Sequence, residues 1–213
     1  MRATRGIRST LVLAALAAGC GGPAYQPDLT LTRSGPIIDA TVEMHDLYAA
    51  PALMSGKKTF GLEAPDAKRV APTELAEQVE EELFTELAQA GLFSRVTRFD
   101  PQPDLILSGR INALHEHNRP RLWTKIPGVG QVAGALEMKT HVSSGEADLT
   151  VYLLKPDGEV VGTYRGQSSF DETFNPTKEV PPGARLNRAL SEAVEQIQKK
   201  ILQDRTVRAI ASR

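Results

Sequence analysis

Two histidines separated by one residue, His115 and His117 in the stretch "HEHN", offer the most evident chemistry in this 213-residue chain. On an extended strand alternate side chains share a face, so both imidazoles would point the same way, as two metal ligands do. A third ligand would have to come from His45, His141 or a carboxylate such as Asp46, and no spacing ties any of these to the pair. Two histidines that end a strand just before Asn118 and Pro120 read more simply as rim residues, so no metal is assigned. Ser108-Gly109 lacks the G-x-S-x-G turn that exposes a nucleophilic serine. "GVGQVAG", from Gly128, has neither the lysine of a phosphate loop nor the G-x-G-x-x-G spacing of a dinucleotide site. With no catalytic constellation and no cofactor motif, the chain is expected not to be an enzyme.

The remaining reactive group is a single cysteine, Cys20, and its setting assigns it another task. Arg2, Arg5 and Arg8 precede the apolar run Leu11–Ala18, and small residues surround Cys20. That is the three-part layout of an export signal. The run is too short to remain a span, which needs about 20 apolar residues to cross ~30 Å of hydrocarbon. Ala17-Ala18-Gly19-Cys20 resembles the lipobox of bacterial lipoproteins, although the family prefers leucine where this chain has Ala17. The resemblance implies cleavage before Cys20, a diacylglycerol on its sulfur and an acylated amine. Three acyl chains, at ~0.8 kcal/mol per buried methylene, make an effectively permanent anchor. Gly21 stands where an aspartate would retain such a protein in the inner membrane, so the resemblance implies the outer membrane, facing the periplasm. No other cysteine exists to form a disulfide.

Composition sets further bounds. Loss of the three arginines in the leader leaves 22 cationic against 26 acidic residues, a net charge of −4. That gives no electrostatic footprint for nucleic acid. Residues 20–36, rich in Gly, Pro and polar types, are expected to form a lipidated flexible tether. Residues 37–204 are expected to form one domain, and 205–213 a tail.

Within the domain, alternation at Ile38, Ala40, Val42 and Met44 predicts a half-buried strand. Leu75, Val79, Leu83 and Leu87, beside Ala76, Phe84 and Ala90, make one helical stripe that begins after Thr73 and stops at Gly91. Glu80, Glu81 and Glu82 in that helix read as a solvated face. A short strand "FSRVTRF" follows, then "DLILSGRINALHEH", in which Gly109 leaves room for close packing. Ala147 to Leu153 and Val160 to Tyr164 alternate around Pro156-Asp157-Gly158, which predicts a hairpin. Leu186, Leu190, Val194, Ile197 and Ile201 mark a closing amphipathic helix. The fold class expected is α+β: a two-layer sandwich of about five mostly antiparallel strands with two helices on one face.

The succession helix, "AGLFSRV", "PDLILSGRI", hairpin and helix resembles a group of envelope lipoproteins. It includes the ABC-type transport auxiliary lipoproteins and other small periplasmic lipoproteins built on an anticodon-binding-like sandwich. The amino-terminal domain of the Tol protein TolB is similar in layout. The shared positions, such as Gly91 and Gly109, are structural, so the resemblance implies the fold more than any particular job.

One stretch resists a bland reading. Residues 118–145 form a long, apolar, Gly-rich connection containing Trp123, Ile126, Val129, Val132 and Leu136. Arg119, Arg121 and Lys125 precede the apolar part and Lys139 follows it. It suits contact with a membrane surface or with a groove on an envelope protein, or it could fold back over the domain's own core. The leading expectation is a membrane-tethered interaction or accessory module of an envelope transport or assembly machine. The alternative is a carrier that holds an apolar ligand between helices and sheet under this loop. A metal-dependent hydrolase using His115 and His117 ranks below both.

Overall fold

The computed structural model describes residues 24–33, 38–56, 58–63, 69–129, 132–133, 136, 138–175, 181 and 183–210. The expected leader and Cys20 lie outside these. Six strands form one open sheet: β1 (Ile38–Ala49), β2 (Gly61–Glu63), β3 (Phe93–Thr97), β4 (Leu105–Pro120), β5 (His141–Leu154) and β6 (Val160–Phe174). Their order is β3-β1-β4-β5-β6, with β2 paired to the far part of β4. The two long helices, α2 (Pro72–Ala90) and α3 (Ala184–Gln203), cover one face. Short helices α1 (Pro51–Met54) and α4 (Arg205–Ile210) complete the fold.

The α+β sandwich is as expected, and the sheet is mixed. β4–β5 and β5–β6 are long antiparallel ladders, whereas β1 runs parallel to both β3 and β4, and β2 runs parallel to β4. Parallel neighbours need a crossover, and the α1–β2–α2 excursion between β1 and β3 supplies it.

Both helical stripes are buried as their periodicity requires: Leu75, Val79, Leu83 and Leu87 from α2 meet Leu186, Leu190, Val194 and Ile197 from α3 over the sheet. α2 starts two residues earlier than an N-cap at Thr73 implies, with Ala71 as N-cap and Pro72 in the first turn, and ends on left-handed Gly91 at φ 70°. A Cβ on Gly166 of β6 would lie 1.8 Å from the Ala193 carbonyl oxygen, so that glycine sets how closely α3 lies on the sheet. At Gly109 a Cβ would sit 3.1 Å from the Thr150 carbonyl oxygen.

Register shifts redirect side chains in two strands. In β1 the alternation breaks at His45 and Asp46, both exposed, and resumes at Leu47. The Leu47 amide freed there donates to Glu80 Oε2 at 2.8 Å. Glu80 also pairs with Arg98, whose guanidinium lies 4.6 Å from the Phe84 ring centre. Glu80 is therefore buried and bonded, which corrects the reading of all three glutamates as a solvated face. In β4 the shift between Ile111 and Ala113 puts Leu114 and Glu116 on the helix side.

Within the expected flexible tether 20–36, described residues 24–33 contribute side chains to the core. Tyr25, Leu29 and Leu31 are buried, alternating with exposed Gln26, Asp28, Thr30 and Thr32. This extended segment follows α3 downward: Tyr25 Oη donates to Asn187 Oδ1 at 2.7 Å, the Thr30 amide to Ser191 Oγ at 3.1 Å, and Thr32 Oγ1 to Glu195 Oε1 at 2.7 Å. The Leu31 amide reaches across to Glu86 of α2 at 3.1 Å. At the other terminus, residues 205–210 of the expected tail are helical and bury Val207.

β6 is an edge strand of 15 residues, and α3 guards part of it. Gln196 accepts from the Gln167 amide at 3.2 Å and donates to the Gln167 carbonyl at 2.9 Å, while Lys200 Nζ donates to the Arg165 carbonyl.

Candidate functional site

The ends of three strands, the start of α3 and Tyr25 converge on one end of the sandwich. Pro120 of β4 pairs with His141 of β5, and His141 with Phe174 of β6, so all three mark the same end of the sheet. α3 starts there, because the Arg185 guanidinium lies 4.3 Å from the Phe174 ring centre. Tyr25, bonded to Asn187 in the first turn of α3, is at this end too.

From this end projects the segment that joins β4 to β5. Its span is 121–140, shorter than the expected 118–145, because residues 118–120 and 141–145 are paired strand. Their polar side chains conceal a ladder held by backbone bonds. Leu122–Lys125 form a 3-10 turn, and helical bonds from Val132 to Gly128 (3.2 Å) and from Leu136 to Val132 (2.9 Å) continue it. Of the proposed contact residues, Ile126 is 54%, Val129 41%, Val132 59% and Leu136 67% exposed, while Trp123 is half-buried with Arg121 5.7 Å from its ring centre. Among its described residues, the segment buries Ala133, half-buries Trp123 and leaves Leu122, Ile126, Val129, Val132, Leu136 and Met138 in solvent.

Behind it lies a polar layer. Glu116 is fully buried, and its Oε1 accepts from Ser143 Oγ and Asn118 Nδ2, both at 3.0 Å. Its Oε2 and the Oδ1 of Asn118 make no hydrogen bond. Burial first, then the charges of Glu116 and Asp28, push the Tyr25 phenol far above its usual range, so it stays a hydrogen-bond donor. Sequence reasoning missed both: Tyr25 sits in a Pro/Gly-rich stretch, and the inward turn of Glu116 follows from a register shift that composition does not announce.

His115 and His117 do share a face, the one opposite Glu116. His117 Nδ1 lies 3.2 Å from Glu63 Oε2 across the β2–β4 pairing. Burial holds His115 below the ordinary imidazole range. The distant candidates are not brought to them: His45 bonds Glu43 on β1, and the His141 ring packs tilted against Phe174, 5.6 Å between ring centres. Among the described residues no three His, Cys, Asp or Glu side chains group as a metal site. Between the layers, the gap bounded by Leu83, Leu107, Val151 and Ile197 has a volume of about 10 Å³, no more than the room one water takes. No described helix is long and apolar enough to cross a membrane.

No protein-family model matches the chain, and no curated protein matches it. Solved structures similar to it include protein XCC0632 from Xanthomonas campestris, of family DUF330. That protein is 14% identical, with 85% of this chain and 93% of that one covered and a TM-score of 0.49. An uncharacterized protein is 11% identical, covering 86% and 97% of the two chains with a TM-score of 0.44. A candidate lipoprotein from Caulobacter crescentus CB15 is 15% identical, covering 65% and 84% with a TM-score of 0.31.

Proposed function

We propose that this protein is a non-enzymatic lipoprotein, anchored by acyl chains on Cys20 to the periplasmic face of the outer membrane. There it serves as an accessory or interaction module of an envelope transport or assembly machine. The observation that carries this reading is the closeness of the anchor to the fold. Cys20 precedes the buried, hydrogen-bonded Tyr25 by five residues. At no more than ~3.6 Å per residue, the leash spans at most ~18 Å. A domain held so closely has one end committed to the bilayer and its long sides free for a partner. The expected export leader ahead of Cys20 supports the anchored part of that reading.

Intact-mass measurement of protein extracted from membranes tests the anchor. A chain starting at Cys20 and carrying three acyl groups is expected, and Cys20→Ala is expected to leave the membrane fraction. An unmodified thiol, or cleavage downstream, refutes the reading. The module role predicts that a defined envelope protein stays with it at fixed stoichiometry in mild detergent. Its absence from membranes rich in this protein would refute that role.

A further inference from the structure

The proposed anchor and the exposed apolar segment leave the fold at the same end, and the charges around that segment differ in sign from the rest of the chain. We propose that the 121–140 segment is a second membrane contact: its apolar side chains enter the headgroup–acyl boundary of the same leaflet that holds the Cys20 lipid, with its cations on anionic headgroups. The proposal rests on the anchor reading and adds which surface faces the bilayer.

Three observations carry it. The first is placement. Tyr25, where the described chain begins to be buried, is bonded to the first turn of α3 beside Phe174, and Phe174 is in register with His141 at the foot of the segment. A leash of at most ~18 Å from Tyr25 therefore keeps this end of the sheet, rather than the end at Leu105 and Leu154, within reach of the membrane. The second is exposure. Leu122 (82%), Ile126, Val129, Val132, Leu136 and Met138 are all exposed within this one connection, whereas other exposed large apolar residues are scattered singly over the fold. Turns carrying such side chains suit shallow insertion of ~5–10 Å. The third is charge. Between residues 118 and 140 the sequence carries four cations, Arg119, Arg121, Lys125 and Lys139, and one acidic residue, Glu137, in a chain of net charge −1. None of the four cations forms an ion pair among the described residues, and Arg121 is held by the Trp123 ring. Cations around an apolar tip match an anionic lipid surface. A contact too weak to hold a free protein suffices here, because the anchor keeps the tip at high effective concentration.

Trp123 is the sole tryptophan, which makes the tip its own reporter. The experiment reconstitutes the full lipidated protein into vesicles of phosphatidylethanolamine and phosphatidylglycerol, with and without bromine on the acyl chains. Trp123 emission is read together with flotation of the vesicles. The expected result is flotation, at least a twofold loss of emission in brominated vesicles, and shielding from aqueous iodide. Ile126→Asp with Leu136→Asp, both at exposed positions, should float equally and melt at the same temperature, yet lose the bromolipid quenching. Replacing phosphatidylglycerol by phosphatidylcholine should weaken the quenching, and salt should do the same. Flotation with Trp123 unquenched and open to iodide overturns the tip contact while leaving the anchor standing. Shielding that appears only when another envelope protein is added overturns it in favour of a protein partner. Failure to float, with the Cys20 thiol free, removes the anchor and the proposal together.

Discussion

Tyr25→Ala should undock the amino-terminal segment while leaving the sheet intact. The Tyr25 side chain is 2% exposed, lies against Gly183 and donates to Asn187. A buried aromatic ring removes ~150–250 Å² from water, worth ~4–6 kcal/mol at ~25 cal/mol per Å² as an upper bound. Truncations of this kind cost ~3–5 kcal/mol in practice. Tyr25→Phe keeps the ring and loses only the bond to Asn187, about 1 kcal/mol. Because the segment is terminal, it can open on its own, and the loss falls first on its docking rather than on global unfolding. Amide hydrogen exchange separates the two. The Thr30 and Leu31 amides, which donate to Ser191 and Glu86, should exchange at least ~100-fold faster in Tyr25→Ala, ~3 kcal/mol being about two powers of ten. Amides of Leu149 and Val151 in the centre of the sheet should keep their protection. Acceleration below about tenfold at both Thr30 and Leu31 would refute the claim that Tyr25 pins the segment.

Gly166→Ala should destabilise the fold by ~3 kcal/mol or more in urea titrations, since the new methyl meets a backbone oxygen that no side-chain change can move; Ala193→Gly should fail to rescue it. Glu80→Ala strands the Leu47 amide and Arg98 and should cost ~1–3 kcal/mol by the same measurement, whereas Glu81→Ala, at an exposed position, should cost under ~0.5 kcal/mol. Acidification should weaken the protein in two steps. Burial depresses His115 and His141, so the unfolded chain binds protons first and stability falls as pH drops through about 6.5. Bonds from Arg188 to Glu172 and from Tyr164 to Asp204 hold those carboxyls low. Asp148 is held low against its own burial by bonds from Arg165 and Asn112. Stability from these three is present above about pH 4 and lost below it. Urea midpoints across the pH range should show both steps, with His115→Gln flattening the first and Asp148→Asn the second.

How far the sequence reveals this molecule depends on what each residue answers to. The stripes of α2 and α3 and the Pro156-Asp157-Gly158 hairpin are set by local periodicity and turn chemistry, and they stand where the pattern places them. Parallel pairing of β1 with β3 and β4 is decided by a partner more than 50 residues away, and alternation within one strand is silent about it. Tyr25, Leu29 and Leu31 did alternate, but Pro27 and the glycines nearby gave the stretch the composition of a linker. The ladder 118–120 with 141–145 is polar, so its side chains resemble a loop. Glu80 looks like its neighbours Glu81 and Glu82, and only the bulge at Leu47 makes it different. The exposed tip residues were legible as apolar side chains lacking a periodic partner, and that property carries the proposed membrane contact.

The clasp that Gln196 and Lys200 place on β6 gains weight if the protein is confined to a membrane. Copies tethered in a plane meet far more often than copies free in volume, and always with the same end down. That geometry brings unpaired strands side by side in a common orientation, which is the condition for runaway polymerisation. By occupying the main-chain groups at Arg165 and Gln167, α3 lets the surface grow crowded without the sheets joining.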